Sequence, residues 1–128
     1  MIIARSTSAG LATRRETELQ LERVAGRVEV RYLPEMTTGE LLDRLRTLPE
    51  DSLVLALSYS LDREGRVINH EHISRLLSEA APVPVYGLHE ERLGYGIVGG
   101  SLLGGRAQGE RAAAMARRVL AGEPATAI

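Results

Sequence analysis

The sequence predicts an α/β fold: a three-layer α/β/α sandwich whose mostly parallel sheet has four or five strands. Short apolar runs of strand length alternate with longer amphipathic segments, a pattern typical of parallel sheets covered by helices. A length of 128 residues fits one hydrophobic core, so we expect a single domain over residues 1–128. The expected strand order, numbered along the chain, is 2-1-3-4-5.

Two strands and two helices are expected before the central strand. Residues 1–4 form a short apolar run, and residues 11–25 carry leucine and valine at helical spacing up to Gly26, which is suited to end a helix. Residues 28–32 alternate apolar and charged side chains, the period of a strand with one solvated face. Thr37 or Thr38 is then suited to cap a second helix.

The central strand is expected at residues 53–57, a continuous apolar run typical of a parallel strand covered on both faces. Asn69 is suited to cap the third helix. Residues 83–87 predict a further buried strand, and residues 97–98 a short fifth one. A last helix is expected over about residues 107–121, with an apolar side. The carboxyl ends of such strands are where open α/β sheets bind ligands.

Composition excludes several classes of function. The chain has 16 basic and 17 acidic residues and a net charge of -1, so it lacks the basic surface of a nucleic-acid-binding protein. The absence of cysteine excludes disulfides, thiol catalysis and zinc–thiolate sites. All basic residues are arginine, which excludes Schiff-base chemistry on lysine. No apolar run approaches the roughly 20 residues that span a bilayer.

A glycine-rich segment precedes the last helix and contains a literal G-x-G-x-x-G run. A dinucleotide-binding site requires that motif between the first strand and first helix of its unit, whereas here it lies late in the chain. We therefore expect no nucleotide cofactor. Instead, we interpret four glycines as positions of a hinge or of close backbone approach: Gly94, Gly96, Gly99 and Gly100.

No metal or catalytic centre is expected. His70 and His72 diverge by about 200° on a helix and have no third ligand close in sequence. None of the serines lies in a G-x-S-x-G elbow, so the signal for a hydrolytic triad is weak. A phosphoacceptor receiver domain is excluded because it needs a lysine, which this chain lacks. It also needs an acidic pocket after the first strand, where this chain has Ser6, Thr7 and Ser8.

Polar side chains follow two of the predicted strands. Ser58, Tyr59, Ser60 and Asp62 follow the central strand, where their hydroxyl, phenol and carboxylate groups are suited to hydrogen-bond a small polar ligand. The alternative is structural: Asp62 caps its own turn and Ser60 satisfies loop backbone. His89, beyond the next strand, either contacts a ligand or is an exposed loop histidine.

The order and spacing of five segments resemble the distal lobe of type I periplasmic binding proteins. The first three are residues 48–58 (LPEDSLVLALS), 62–65 (DREG) and 82–87 (PVPVYG). The other two, residues 94–100 (GYGIVGG) and 120–124 (LAGEP), resemble the returning helix and close of such proteins. More narrowly, the chain is similar to the ABC-transporter substrate-binding-like sensor regions found ahead of bacterial histidine kinases and diguanylate cyclases. The likeness runs from about residue 22 onward.

The resemblance implies one lobe of a two-lobed, non-catalytic sensing domain that closes on a small-molecule ligand. It puts ligand contacts at the Ser58–Ser60 group and at Gly87, Leu88 and His89, with the hinge near Gly99 and Gly100. Its implied partners are a second lobe and the membrane and kinase segments of a longer parent chain, in an extracytoplasmic part of an inner-membrane protein. The absence of a leader or tail fits a domain excised from that parent.

Three alternatives remain open at this stage. Within the same family, the chain is the solute receptor of an ABC transporter. In a different class, it is an enzyme of flavodoxin-like fold. It is also interpretable as a dimerisation module in which the first and last helices pair two copies. Neither charge nor aromatic content selects a ligand, and no cofactor is expected.

Overall fold

The computed structural model describes residues 1–3, 8–24 and 26–127, and it confirms a parallel α/β arrangement. Strands β1 (Ile2–Ile3), β2 (Val54–Ala56) and β3 (Val85–Gly87) form one open sheet in the order β1-β2-β3. Both pairings are parallel, as expected when helices connect successive strands. The polar run expected after the first strand lies mostly outside the described residues.

The segments expected to flank this sheet contribute isolated bridges rather than strands in the described residues. Tyr32 forms a parallel bridge to Ile2, and Gly99 forms one to Tyr86. Val28 and Val98 in these segments are exposed, whereas Ile97 is buried in the core. A sheet of four or five strands is therefore not confirmed.

Local capping signals set the start of two helices. The Thr37 hydroxyl accepts a hydrogen bond from the backbone N–H of Glu40, whose carboxylate accepts one from the Thr37 N–H, so Thr37 is confirmed as a cap. Asn69 is confirmed in the same role. The α-helices of the described residues are α1 (Ser8–Leu21), α2 (Thr38–Arg46), α3 (His70–Ala80) and α4 (Gly105–Leu120). Short 3-10 helices cover Glu22–Val24, Glu90–Arg92 and Ala125–Ala127.

The hydrophobic core lies between one face of the sheet and helices α2 and α3. Ile3 is paired with Ala56, and Val54 with Val85, so these four side chains share that face. The two helices add four fully buried side chains: Leu41, Leu45, Ile73 and Leu77. This packing fixes α3 against the sheet and so positions its first turn at the carboxyl edge of β2.

The opposite face of the sheet is less covered. Ile2 is buried on that face, but its partner Leu55 and Tyr86 are only half-buried, and every residue of α4 is exposed, including Met115 and Val119. The third layer of the expected sandwich is therefore not confirmed. In the described ranges, no helix combines the length and the apolar character needed to cross a membrane.

Candidate functional site

The loops after β2 and β3 meet the first turn of α3 at one edge of the sheet. Because β2 and β3 are parallel, their carboxyl ends lie side by side. The side chain of Asn69 accepts hydrogen bonds from the backbone N–H groups of Glu71 and His72 and thereby starts α3 at this edge. The 3-10 helix Glu90–Arg92, which follows β3, contacts α3. This is the edge at which open α/β sheets bind ligands.

Two histidines share one carboxylate at this edge. Oε1 of Glu91 lies 3.2 Å from Nδ1 of His70 and 3.6 Å from Nδ1 of His89. The two imidazole rings meet edge to face, with their centroids 5.9 Å apart. We call His70, His89 and Glu91 the histidine–glutamate cluster.

Burial and charge act in opposite directions on this cluster. Burial lowers the pKa of the His89 imidazole, Glu91 raises it, and the positive charges of Arg92 and His70 lower it again, so that the net shift is downward. The pKa of Glu91 also lies below its ordinary value, chiefly because its own backbone N–H donates to the carboxylate. The geometry thus favours an ionised Glu91 beside a His89 that resists protonation.

Arg92 is fully buried next to the cluster, with 0% of its surface exposed. Its Nε, Nη1 and Nη2 atoms have no hydrogen-bond partner in the part of the chain that the structure describes. Burial lowers the pKa of the guanidinium, and the charge of Glu91 opposes this effect. An arginine nevertheless stays protonated in proteins, so the site holds a buried positive charge.

Gly87 lies beside that arginine and close to Ile97. A Cβ atom at position 87 would lie 3.6 Å from Cδ of Arg92 and 3.0 Å from Cδ1 of Ile97. The missing side chain therefore lets Ile97 pack closely against the end of β3, with the aliphatic part of Arg92 at ordinary van der Waals distance. Leu88 and His89, the other two expected ligand residues of this strand end, are half-buried beside it.

Sequence reasoning missed Arg92 and the pairing of His70 with Glu91. A signal was present, because residues 89–92 are four consecutive polar or charged residues directly after a buried strand. Their partners come from α3, about 20 residues earlier in the chain, and only the packing of the loop against α3 brings them together.

The residues expected after β2 divide between the core and solvent. Tyr59 is buried in the hydrophobic core, whereas Ser58 is half-buried and Ser60 is exposed. The cleft beside Tyr59 offers only about 10 Å³ to the centre of a water molecule. That is room for about one water, so this cleft does not hold an organic ligand in the observed conformation.

Asp62 is engaged by its own turn. It is 1% exposed, and Oδ1 accepts hydrogen bonds from the backbone N–H groups of Glu64 at 2.9 Å and Arg66 at 3.0 Å. Nε of Arg66 donates to Oδ2 at 2.8 Å. Burial raises the pKa of Asp62, but the hydrogen bonds and charge of Arg66 outweigh it, so the pKa lies below its ordinary value. These contacts match the turn-capping alternative.

Two of the four selected glycines lie where a side chain would overlap neighbouring atoms. A Cβ atom at Gly96 would overlap the side chain of Ser78 on α3, and one at Gly100 would overlap the carbonyl oxygen of Gly87. Both glycines have a positive φ, 98° and 151°. Gly94 and Gly99 also have positive φ but meet no atom within 4 Å at that position.

An open groove lies on the other side of the first turn of α3. It has a volume of about 390 Å³ and is lined by the start of α2, the 62–68 turn and His72. This volume is in the range of small-molecule sites. His70 and His72 therefore divide between two surfaces, the histidine–glutamate cluster and the groove.

Within the described residues, no three histidine, aspartate or glutamate side chains are placed to hold a metal ion. Comparison of the chain with protein-family models, with curated proteins and with solved structures found no match.

Proposed function

We propose that this chain is a non-catalytic domain that binds a small molecule at the carboxyl edge of its sheet. One observation carries the proposal: the loop after β3 and the first turn of α3 bring His70, His89, Glu91 and Arg92 together there. A convergent set of polar and charged groups at this edge is typical of a binding site, and it includes a buried guanidinium with no hydrogen-bond partner among the described residues.

We also propose that the domain is one lobe of a type I periplasmic-binding-protein-like fold, a three-layer sandwich with a wider sheet between two layers of helices. The bridges of Tyr32 to Ile2 and of Gly99 to Tyr86 lie where the outer strands of the order 2-1-3-4-5 belong, and they support this proposal. The exposed helix α4 also supports this proposal, because a second lobe would supply an apolar surface for the apolar side of α4 to pack against.

The domain would then act in signalling by a shift of populations. One lobe offers half of a cleft, and a ligand that contacts both lobes favours their closed arrangement over the open one. The closed arrangement would pass the signal through the membrane segments of a parent sensor protein, such as a histidine kinase. The ligand-binding lobes would lie on the extracytoplasmic side.

A binding screen with two matched variants tests the proposal. Amino acids, dicarboxylates, sugars and nucleotides are screened by thermal shift, and positives are measured by calorimetry on the wild type, His70→Ala and His72→Ala. We expect at least one compound to bind, at least tenfold more weakly to His70→Ala, with little change in His72→Ala, and to be recovered unchanged by mass spectrometry. Consumption of the compound, an effect confined to His72→Ala, or no binding at all would contradict the proposal.

A second candidate function is pairing of two copies through α4. Met115 is 47% exposed and Leu120 is 87% exposed, and Val119 lies on the same helix. Light scattering over a dilution series would then show a dimer in the wild type and a monomer in Val119→Glu. A wild type that stays monomeric at every concentration would exclude this function.

A further inference from the structure

Within the described residues, the buried guanidinium of Arg92 makes no hydrogen bond to a carboxylate. Its three guanidinium nitrogens lack hydrogen-bond partners among the described residues, and the side chain is 0% exposed. The charge of Glu91 offsets the burial of Arg92 only in part, and Oε1 of Glu91 lies against His70 and His89 rather than against the guanidinium. An uncompensated buried charge is strongly unfavourable, so this arrangement is complete only when an anion joins it.

The chemistry of arginine specifies which anion fits. The guanidinium is planar and presents its N–H donors in a fork that matches two oxygens of a carboxylate or phosphate. Resting on the function proposed above, we infer that the ligand carries an acidic group, a carboxylate or a phosphate, and that Arg92 pairs with it at the carboxyl edge of β3.

The surroundings of Arg92 suit this role. The aliphatic part of the side chain lies beside Gly87, and Ile97 packs closely against the same position. His89 resists protonation, because burial lowers its pKa, so Arg92 is the principal positive charge of the 88–93 loop. His89 and Glu91, its neighbours in this loop, are partly exposed, so solvent reaches the loop beside Arg92.

Calorimetry with defined probes tests the inference. Inorganic phosphate, succinate and the neutral succinamide are titrated into the full chain at constant ionic strength. We expect one or both anions to bind at least tenfold more tightly than succinamide, and the preferred anion distinguishes a phosphate from a carboxylate ligand. Arg92→Met should reduce anion affinity at least tenfold, Arg92→Lys should retain part of it, and Arg106→Met on exposed α4 should leave it unchanged. Equal affinity for succinate and succinamide, or unaltered binding to Arg92→Met, would overturn the inference.

The stability of the free protein gives a readout that does not depend on a ligand. Arg92→Met removes an unpaired buried charge and replaces it with an apolar chain, so its urea midpoint should equal or exceed that of the wild type. A clearly lower midpoint would mean that Arg92 already has a partner in solution, and the inference would be wrong.

Failure of this inference is distinguishable from failure of the proposed function. Suppose that a neutral compound binds and that His70→Ala weakens its binding whereas Arg92→Met does not. The proposed binding site then stands, and the inference of an acidic ligand is wrong. If neither the anions nor any compound of the wider screen binds, both proposals fail.

Discussion

Glu91 Oε1 lies 3.2 Å from His70 Nδ1, which joins the loop after β3 to the first residue of α3. The same oxygen lies 3.6 Å from His89 Nδ1, so one carboxylate holds two imidazoles from segments about 20 residues apart. This contact fixes the loop that carries Arg92 against the helix that starts at the same edge. The candidate site depends on that connection.

Glu91→Gln should lower the pKa of His89 further. The negative charge of Glu91 raises that pKa against the effect of burial, and glutamine removes the charge while keeping the shape. An NMR titration of the imidazole Cε1–H resonances measures the change. Glu90→Gln is the control, because the Glu90 carboxylate lies beside Gly104 instead, and it should alter the His89 titration less. Equal effects of the two variants would contradict the observed pairing.

Asp62→Asn should lower the thermal midpoint at neutral pH by several degrees, because the buried carboxylate accepts three hydrogen bonds in its turn. The pKa of Asp62 is lowered in the folded state, so its ionisation stabilises the fold above the ordinary carboxyl pKa. That stabilisation is lost as pH falls through the folded-state pKa. The difference between wild type and variant should therefore shrink in acid.

The control for this experiment is Asp43→Asn, which breaks an exposed ion pair with Arg46 on α2. Exposed pairs contribute little, so this variant should differ only slightly from the wild type at neutral pH. If the thermal midpoint of Asp62→Asn equals that of Asp43→Asn, the turn contacts of Asp62 do not persist in solution.

Gly100→Ala should destabilise the fold by about 1–3 kcal/mol, the usual cost of a strained backbone residue. The new methyl group would overlap the carbonyl oxygen of Gly87, and φ is 151° at this position. Gly109→Ala is the matched control, since it lies inside α4 with no atom within 4 Å of the new methyl group. It should stabilise by about 0.5–1 kcal/mol through helix propensity. Urea unfolding measures both, and a neutral Gly100→Ala would contradict the close approach.

Leu77→Ala should cost about 2–5 kcal/mol, because Leu77 is fully buried between α3 and the sheet. Val119→Ala on exposed α4 should change the free energy of unfolding by less than about 0.5 kcal/mol. Denaturant unfolding of the two variants compares these effects directly. A large loss of stability in Val119→Ala would show that α4 is covered in solution, by a second copy or by this chain.

Helix starts and the class of the sheet were predictable because their causes are local. Thr37 and Asn69 have short side chains that reach backbone N–H groups two or three residues later. The apolar run before Ser58 predicts a strand by its length alone. The width of the sheet was not predictable in this way, because residues 28–32 have the alternation of a strand but form only an isolated bridge to β1 in the described residues.

The order of residue types along the chain determines caps, turns and the points at which strands end. From these, the sequence indicates that the candidate site lies in the loops that follow β2 and β3. Which side chains meet there depends on how the 89–92 loop packs against α3. Tyr59 joins the core and Asp62 pairs with Arg66, although residue type favoured both as ligand contacts. His70 contacts Glu91, although residue type favoured neither of them. The physical reason is that burial and pairing are set by contacts between segments distant in sequence, and a pattern of residues carries no record of those distances.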